Sequence, residues 1–244
     1  MTADVHAERR RRKLYGRRKG PKLSAHKSHL FETLLPKLAL NIRTGADPRS
    51  YFENVDDVWL EIGFGAGEHL LWQAQNNPRA GLIGAEPYES GVAKLLSKLA
   101  PDSSSPVYGG GATQSVAEGA HNIRIHMGDA REIIEALPDA SLGRVFILFP
   151  DPWPKLRHAK RRFIQTEMLG HLARVMKPGA ELRFASDDAP LVEYTLERLM
   201  AHPAFAWTAT RAADWRARSS DWPQTRYEAK QLHGVPVFLR VMRV

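Results

Sequence analysis

The residues of this chain best suited to chemistry lie in 149-FPDPWPK-155 and in the basic run behind it. An apolar stretch, 145-VFILF-149, stops at Pro-Asp-Pro-Trp-Pro, and Lys155, Arg157, Lys160, Arg161 and Arg162 follow, with His158 among them and no acid until Glu167. Proline fixes its own φ and restricts the residue before it. Pro150, Pro152 and Pro154 are therefore expected to hold Asp151 and Trp153 with little backbone freedom. Such a loop presents a carboxylate and an aromatic ring to a flat substrate. The cations beside it would collect phosphates, and binding of that kind falls steeply with salt. Read blandly, the same residues make a rigid surface turn and a solvated basic helix start. Lys and Arg are unfavourable at a helix N-terminus, so an anionic partner would offset that cost.

A second group sits at 60-LEIGFGAGEHLL-71, where the chain leaves an apolar run through Gly63, Gly65 and Gly67. Glycines there let the backbone take positive φ and approach a ligand closely. Glu86 ends the next apolar run, where an acidic residue takes the ribose hydroxyls of an adenosine group. A dinucleotide would want G-x-G-x-x-G with its pyrophosphate on the helix N-terminus. Counted from Gly63 the sixth position is Glu68, and counted from Gly65 it is Leu70. Glu61 and Glu68 would also set negative charge beside that pyrophosphate. S-adenosylmethionine fits better: it has no phosphates, Glu86 can take its ribose diol, and Glu61 can pair with its ammonium end. A tight strand–helix turn without ligand is the bland alternative. Further on, 126-HMGDARE-132 sets Asp129 where it can accept from an adenine amine, while a neighbouring amide such as that of Ala130 donates to a ring nitrogen. Asp129 is equally a plain helix cap.

With a methyl sulfonium in place, a ring nitrogen with a free lone pair, such as guanine N7, needs no proton removed before it attacks. Catalysis then reduces to in-line positioning and electrostatics. Asp151 can hold the N1–H and N2–H edge of the base or steady the cation that forms.

These groups need elements to position them. Short apolar runs at 58-VWLEI-62, 82-LIGAE-86, 123-IRIHM-127, 145-VFILF-149 and 181-ELRFA-185 alternate with stretches of helical spacing at 88–100 and 161–176. That alternation predicts a parallel sheet covered on both faces. Pro178 and Gly179 are expected to separate the second helix from the fifth strand, and 236-PVFLRVMRV-244 reads as a last strand. A short helix broken near Pro36 is expected at 24–40. Residues 101–119, rich in Ser, Gly and Pro, read as a flexible surface insertion.

The totals bound the alternatives. No run of about 18 uncharged apolar residues occurs, so no membrane span is expected. The N-terminus has no apolar stretch behind its charges, so no secretory signal is indicated. The chain has no cysteine, which excludes disulfides and thiolate chemistry and fits a cytoplasmic protein. Ten histidines form no H-E-x-x-H motif, so no metal is expected. Of the formal net charge of +8, residues 1–22 carry +7, which marks them as a basic, disordered arm suited to RNA.

The set LEIGFGAG, GAEPY, GDA, FPDPWPKLRHAKRR, ASDD and 225-TRYE-228 resembles the bacterial tRNA (guanine-N7-)-methyltransferases over about residues 55–240. The resemblance implies the class I methyltransferase fold: an α/β, Rossmann-like, three-layered domain over 23–244 whose seven-stranded sheet is mostly parallel with an antiparallel last strand. It implies methyl transfer to N7 of the variable-loop guanine of tRNA. Cofactor contacts would fall on Glu61, Glu86, Asp129 and Asp151, substrate contacts on Lys155, Asp187, Thr225, Arg226, Tyr227 and Glu228, and RNA contacts on Arg157, His158, Lys160, Arg161 and Arg162. A methyltransferase for another base or RNA, a non-catalytic RNA-binding protein on this fold, and a choice between monomer and homodimer stay open at this point.

Overall fold

The computed structural model describes residues 14–100, 121–230 and 232–244. Residues 1–13 of the expected basic arm and the expected insertion at 101–119 lie outside the described residues. Among the described residues seven strands build one sheet: β1 Asp57–Ile62, β2 Ala80–Ala85, β3 Ile123–His126, β4 Leu142–Leu148, β5 Met176–Ser186, β6 Phe205–Trp207 and β7 Val237–Arg243. Their order is β3-β2-β1-β4-β5-β7-β6. The first five run parallel, and β7 lies antiparallel to both β5 and β6.

The helices are α1 Ala25–Thr33, α2 Leu35–Leu38, α3 Glu68–Asn76, α4 Glu89–Leu99, α5 Ala130–Ala136, α6 Thr166–Val175, α7 Ala189–Ala201, α8 Ala213–Arg216 and α9 Arg226–Lys230. Leu82 and Ile123 of the sheet pack with α1, α3 and α4 through Leu30, Leu70 and Leu95. Leu60, Ile83 and Val145 pack with α5, α6 and α7 through Ile134, Leu169 and Leu199. Alternate residues of one strand thus serve opposite helical layers, and the domain has three layers. Val145, Phe146 and Ile147 have no solvent exposure. Burying each such side chain stabilises by about 1.5–3 kcal/mol. A central strand of this kind can afford no slip in register. None of the described helices is long and apolar enough to cross a membrane.

Three local expectations need correction. Pro178 and Gly179 lie inside β5 rather than before it: Met176 pairs with Leu142, and the next pair is Glu181 with Arg144. The extra residues form a bulge, the place in a sheet that tolerates a proline and a glycine at φ +79°. The helix expected over 161–176 starts only at Thr166, and the basic run before it forms a 3₁₀ turn, Leu156–Arg161. The cations therefore do not oppose the start of α6. Finally, β6 carries too few residues to show a period, so the apolar runs located only six of the seven strands that the resemblance implies.

Strand order decides where a ligand can lie. Consecutive strands β1 to β3 step one way across the sheet, and β4 and β5 step the other, so the crevice opens at the carboxyl ends of β1 and β4.

Candidate active site

Gly63, Asp151 and Asp187 follow the carboxyl ends of β1, β4 and β5, while Glu86 and Asp129 follow those of β2 and β3. One edge of the sheet thus collects five sequence-predicted positions. Below it lies a cavity of about 520 Å³ whose walls include Gly63, Gly65, Glu86, Asp129, Ala130, Asp151 and Tyr227. That volume suits a nucleoside-sized ligand.

The glycine loop is built as its composition demands. Gly63, Gly65 and Gly67 take φ of +73°, +58° and +73°, a region costly for any side chain. Gly67 starts α3, and a Cβ on it would lie 2.7 Å from Leu95. The loop is tied to the next strand, because Glu86 accepts from the Gly65 amide at 2.7 Å and from the Tyr88 amide at 2.8 Å. Each Glu86 oxygen keeps a lone pair for a hydroxyl donor. Burial pushes the Glu86 carboxyl above its ordinary value of 4.5, against the pull of the two amides, and the charges of Asp151 and Glu61 add to the rise. Protonation on acidification removes an acceptor. Affinity for S-adenosylmethionine is therefore expected to weaken as pH falls through a midpoint above 4.5, measured by calorimetry. In Glu86→Gln the binding is weaker at neutral pH and that pH dependence flattens.

Asp129 takes the capping role and stands on the cavity wall, where the adenine contact was expected. Its Oδ1 accepts from the Arg131 amide at 3.0 Å and so caps α5, while the Arg131 guanidinium chelates the carboxylate. The Ala130 backbone stands beside it on the cavity wall.

The loop 149–155 is constrained differently from expectation. Phe149 and Trp153 each precede a proline, which disfavours the α region and pushes residues toward extended backbone. They instead sit at φ +50° and +47°. Two bulky residues in the left-handed region around Asp151 store strain of about 1–3 kcal/mol each. Arg162 helps hold this arrangement, donating to the carbonyls of Pro152 at 3.0 Å and Trp153 at 3.4 Å. Its guanidinium also lies 4.4 Å from the centre of the Tyr194 ring. Arg162, expected to meet RNA, is thus engaged as a clamp on the loop. Arg161 packs over Trp153 and over Tyr15, at 4.9 and 4.8 Å from the ring centres. Arg157 and Lys160 are exposed. His158 lies edge-on to Trp153, and slight burial with the neighbouring Arg161, Arg157 and Lys155 lowers its pKa below 6.5.

Leu14 to Arg17 also line the cavity, although the charge pattern assigned them to the arm. The Tyr15 ring stands edge-on to Trp153 at 6.3 Å, and the Arg18 carbonyl accepts from the Glu89 amide at 3.0 Å. Aromatic character at position 15 was the available signal, masked by the surrounding charge.

Other sequence-predicted residues stand at or behind the wall. Glu61 is 3% exposed and is not among the lining residues; its Oε2 accepts from Nδ1 of the equally buried His69 at 2.7 Å. Tyr227 faces the glycine loop, since a Cβ on Gly65 would lie 3.3 Å from its ring. Arg226 packs on that ring at 4.9 Å. Thr225 Oγ1 accepts from the Glu228 amide and starts α9, while Glu228 holds Arg218 at 3.0 Å and keeps a second, buried oxygen without a partner. Asp187 accepts from the His233 amide at 3.0 Å; the neighbouring Asp188 caps α7 instead. Lys155 is exposed at the start of the 3₁₀ turn.

This donor set fits S-adenosylmethionine. Glu86 offers acceptors for a diol, the glycine turn leaves room for close approach, and α3 begins with Glu68, paired with Lys98 at 3.0 Å, where a pyrophosphate would be repelled. Among the described residues no group of three or more His, Asp or Glu could hold a metal ion.

Residues 56–237 match a family model described as putative methyltransferase. A tRNA (guanine-N(7)-)-methyltransferase of Rhodospirillum rubrum is 48% identical over 226 residues, covering 90% of this chain and 82% of that protein. One from Caulobacter vibrioides is 47% identical over 232 residues, covering 94% of each. Among solved structures, the 16S rRNA methyltransferase KamB is similar with a TM-score of 0.54 at 18% identity, over 85% of this chain and 98% of that one. A 16S rRNA (adenine(1408)-N(1))-methyltransferase variant from Catenulisporales acidiphilia, solved with its cosubstrate, gives 0.52 at 18%, over 82% and 93%. At such identities the likeness concerns the fold.

Proposed function

The chain belongs to the tRNA (guanine-N(7)-)-methyltransferase family, and on that premise we propose that it transfers a methyl group from S-adenosylmethionine to N7 of the variable-loop guanine of tRNA. The observation that carries this reading is the meeting of Glu86, tied to the Gly65 amide, with Asp151 across one cavity. On this reading one carboxylate serves a ribose and the other a base.

The cofactor supplies an electrophilic methyl group on a sulfonium. Gly63, Gly65, Glu86 and Asp129 bind and orient it from the ends of three strands. Asp151 accepts from the N1–H and N2–H of the guanine and would face the positive charge that develops on the ring as the N7 lone pair takes the methyl carbon, the carbon–sulfur bond breaking and its electrons returning to sulfur. No general base is needed, because N7 carries no proton. The strained backbone at Phe149 and Trp153, clamped by Arg162, sets the direction of that carboxylate before the substrate arrives. Tyr227 lines the cavity and, with the partly unpaired Glu228, would serve the substrate, while Arg157 and Lys160 take phosphates at the rim. The basic arm would add further phosphate contacts. The proposed setting is the cytoplasm, where tRNA matures.

The test is transfer of label from S-adenosylmethionine to unmodified bulk tRNA, followed by nucleoside analysis. Label is expected in 7-methylguanosine. Label in another nucleoside would keep the reaction class and overturn the substrate.

A further inference from the structure

Behind the cavity wall runs a chain of buried polar side chains that the reaction as derived above does not use. Glu61, His69 and Gln73 are 3%, 2% and 1% exposed. His69 Nδ1 lies 2.7 Å from Glu61 Oε2, and its Nε2 lies 3.2 Å from Gln73 Nε2. Gln73 Nε2 also donates to the Asp221 carbonyl at 2.9 Å, and Gln73 Oε1 accepts from Asn77 at 3.0 Å. These partners settle the hydrogens. A Gln73 amide nitrogen that donates to both neighbours makes His69 Nε2 an acceptor, so Nδ1 carries the hydrogen and donates it to Glu61. The imidazole is held edge-on by Phe146 at 4.6 Å and by Trp222 at 6.2 Å. Burying three polar side chains is costly unless each is satisfied, and here each completes the next.

We propose that His69 is a positioning residue: it fixes the Glu61 carboxylate so that its other oxygen serves the ammonium of the bound cofactor's amino-acid end. This rests on the methyl-donor reading given above. The geometry supports it in three ways. Glu61 lies close enough to the cavity for its charge to act on Glu86. Its Oε2 is committed to His69, which leaves Oε1 as the oxygen free to face a ligand. Finally, α3 starts at the glycine turn itself, which puts His69 two residues from Gly67 of that turn.

The probes are S-adenosylhomocysteine, which carries the ammonium, and 5′-methylthioadenosine, which lacks the whole amino-acid portion. Calorimetry is run with wild type, His69→Phe and His69→Asn. Phenylalanine fills the space between Phe146 and Trp222 but cannot donate; asparagine leaves a gap yet can place a donor where Nδ1 stood. His69→Phe is expected to bind S-adenosylhomocysteine about tenfold or more weakly, the size expected for a lost hydrogen bond to a charged group. It should bind 5′-methylthioadenosine within about twofold of wild type, with His69→Asn recovering most of the loss. Equal losses for both ligands, or a loss in His69→Asn as large as in His69→Phe, would overturn the inference. If His69→Phe fails to fold, His69→Asn decides alone: near-normal S-adenosylhomocysteine binding supports the inference, and a tenfold loss overturns it. A wild-type protein that binds neither probe overturns the methyl-donor reading and this inference with it.

Discussion

Asp151→Ala is expected to slow methyl transfer to tRNA by about 10²–10³-fold, the usual effect of removing one preorganised group from the place where charge develops. The loss should fall on the single-turnover rate rather than on tRNA affinity. Asp151 is exposed and supports no part of the core, so thermal unfolding should stay within about 0.5 kcal/mol of wild type. A second readout separates charge from shape. The Asp151 charge is one of the causes that raise the Glu86 carboxyl. Its removal should therefore shift the pH midpoint of cofactor binding downward, and Asp151→Asn should do the same. If the damage appeared only in KM for tRNA, the residue would be a binding group and the catalytic assignment would fall.

Replacing Arg157 and Lys160 together by Ala is expected to weaken tRNA binding by about 10–100-fold at low salt. The slope of log affinity against log salt should flatten by about 1.4–1.8, because each lost phosphate contact removes about 0.7–0.9 of it. Binding titrations at several salt concentrations give both quantities. Arg162→Ala supplies the contrast. Its guanidinium holds the carbonyls of Pro152 and Trp153, so its removal should lower the transfer rate and leave the salt slope nearly unchanged. Equal flattening in both variants would mean that Arg162 leaves its clamp to meet RNA.

The strand ends of this fold were legible because buried parallel strands write themselves as apolar runs, and each run here ends within two residues of a glycine or a carboxylate. The glycine loop was legible for a similar reason: three positive φ values leave little choice of residue. What stayed hidden depends on distant partners. His69 reads as a routine helix residue in EHLL, and only the fold shows that Gln73 beside it reaches Asp221, 148 positions away. Arg162 looked like one more cation in a run, since charge density in sequence does not tell a phosphate ligand from a clamp on a carbonyl. The prolines misled more directly. They announce rigidity, and the loop is rigid, but through backbone angles at Phe149 and Trp153 that a proline normally disfavours. Such local conflict is where function is expected to override propensity.

The direction of the sheet has a practical consequence at the join between α4 and β3. Helix α4 ends at Leu99, and β3 begins at Ile123 and runs parallel to its neighbours, so the chain enters the sheet there at the edge opposite the cavity. A fluorophore or an affinity handle fixed at the exposed His121, two residues before β3, would therefore sit at the back of the enzyme. It would leave the path of the incoming nucleic acid clear, which makes this join the natural place to tether the protein for single-molecule work.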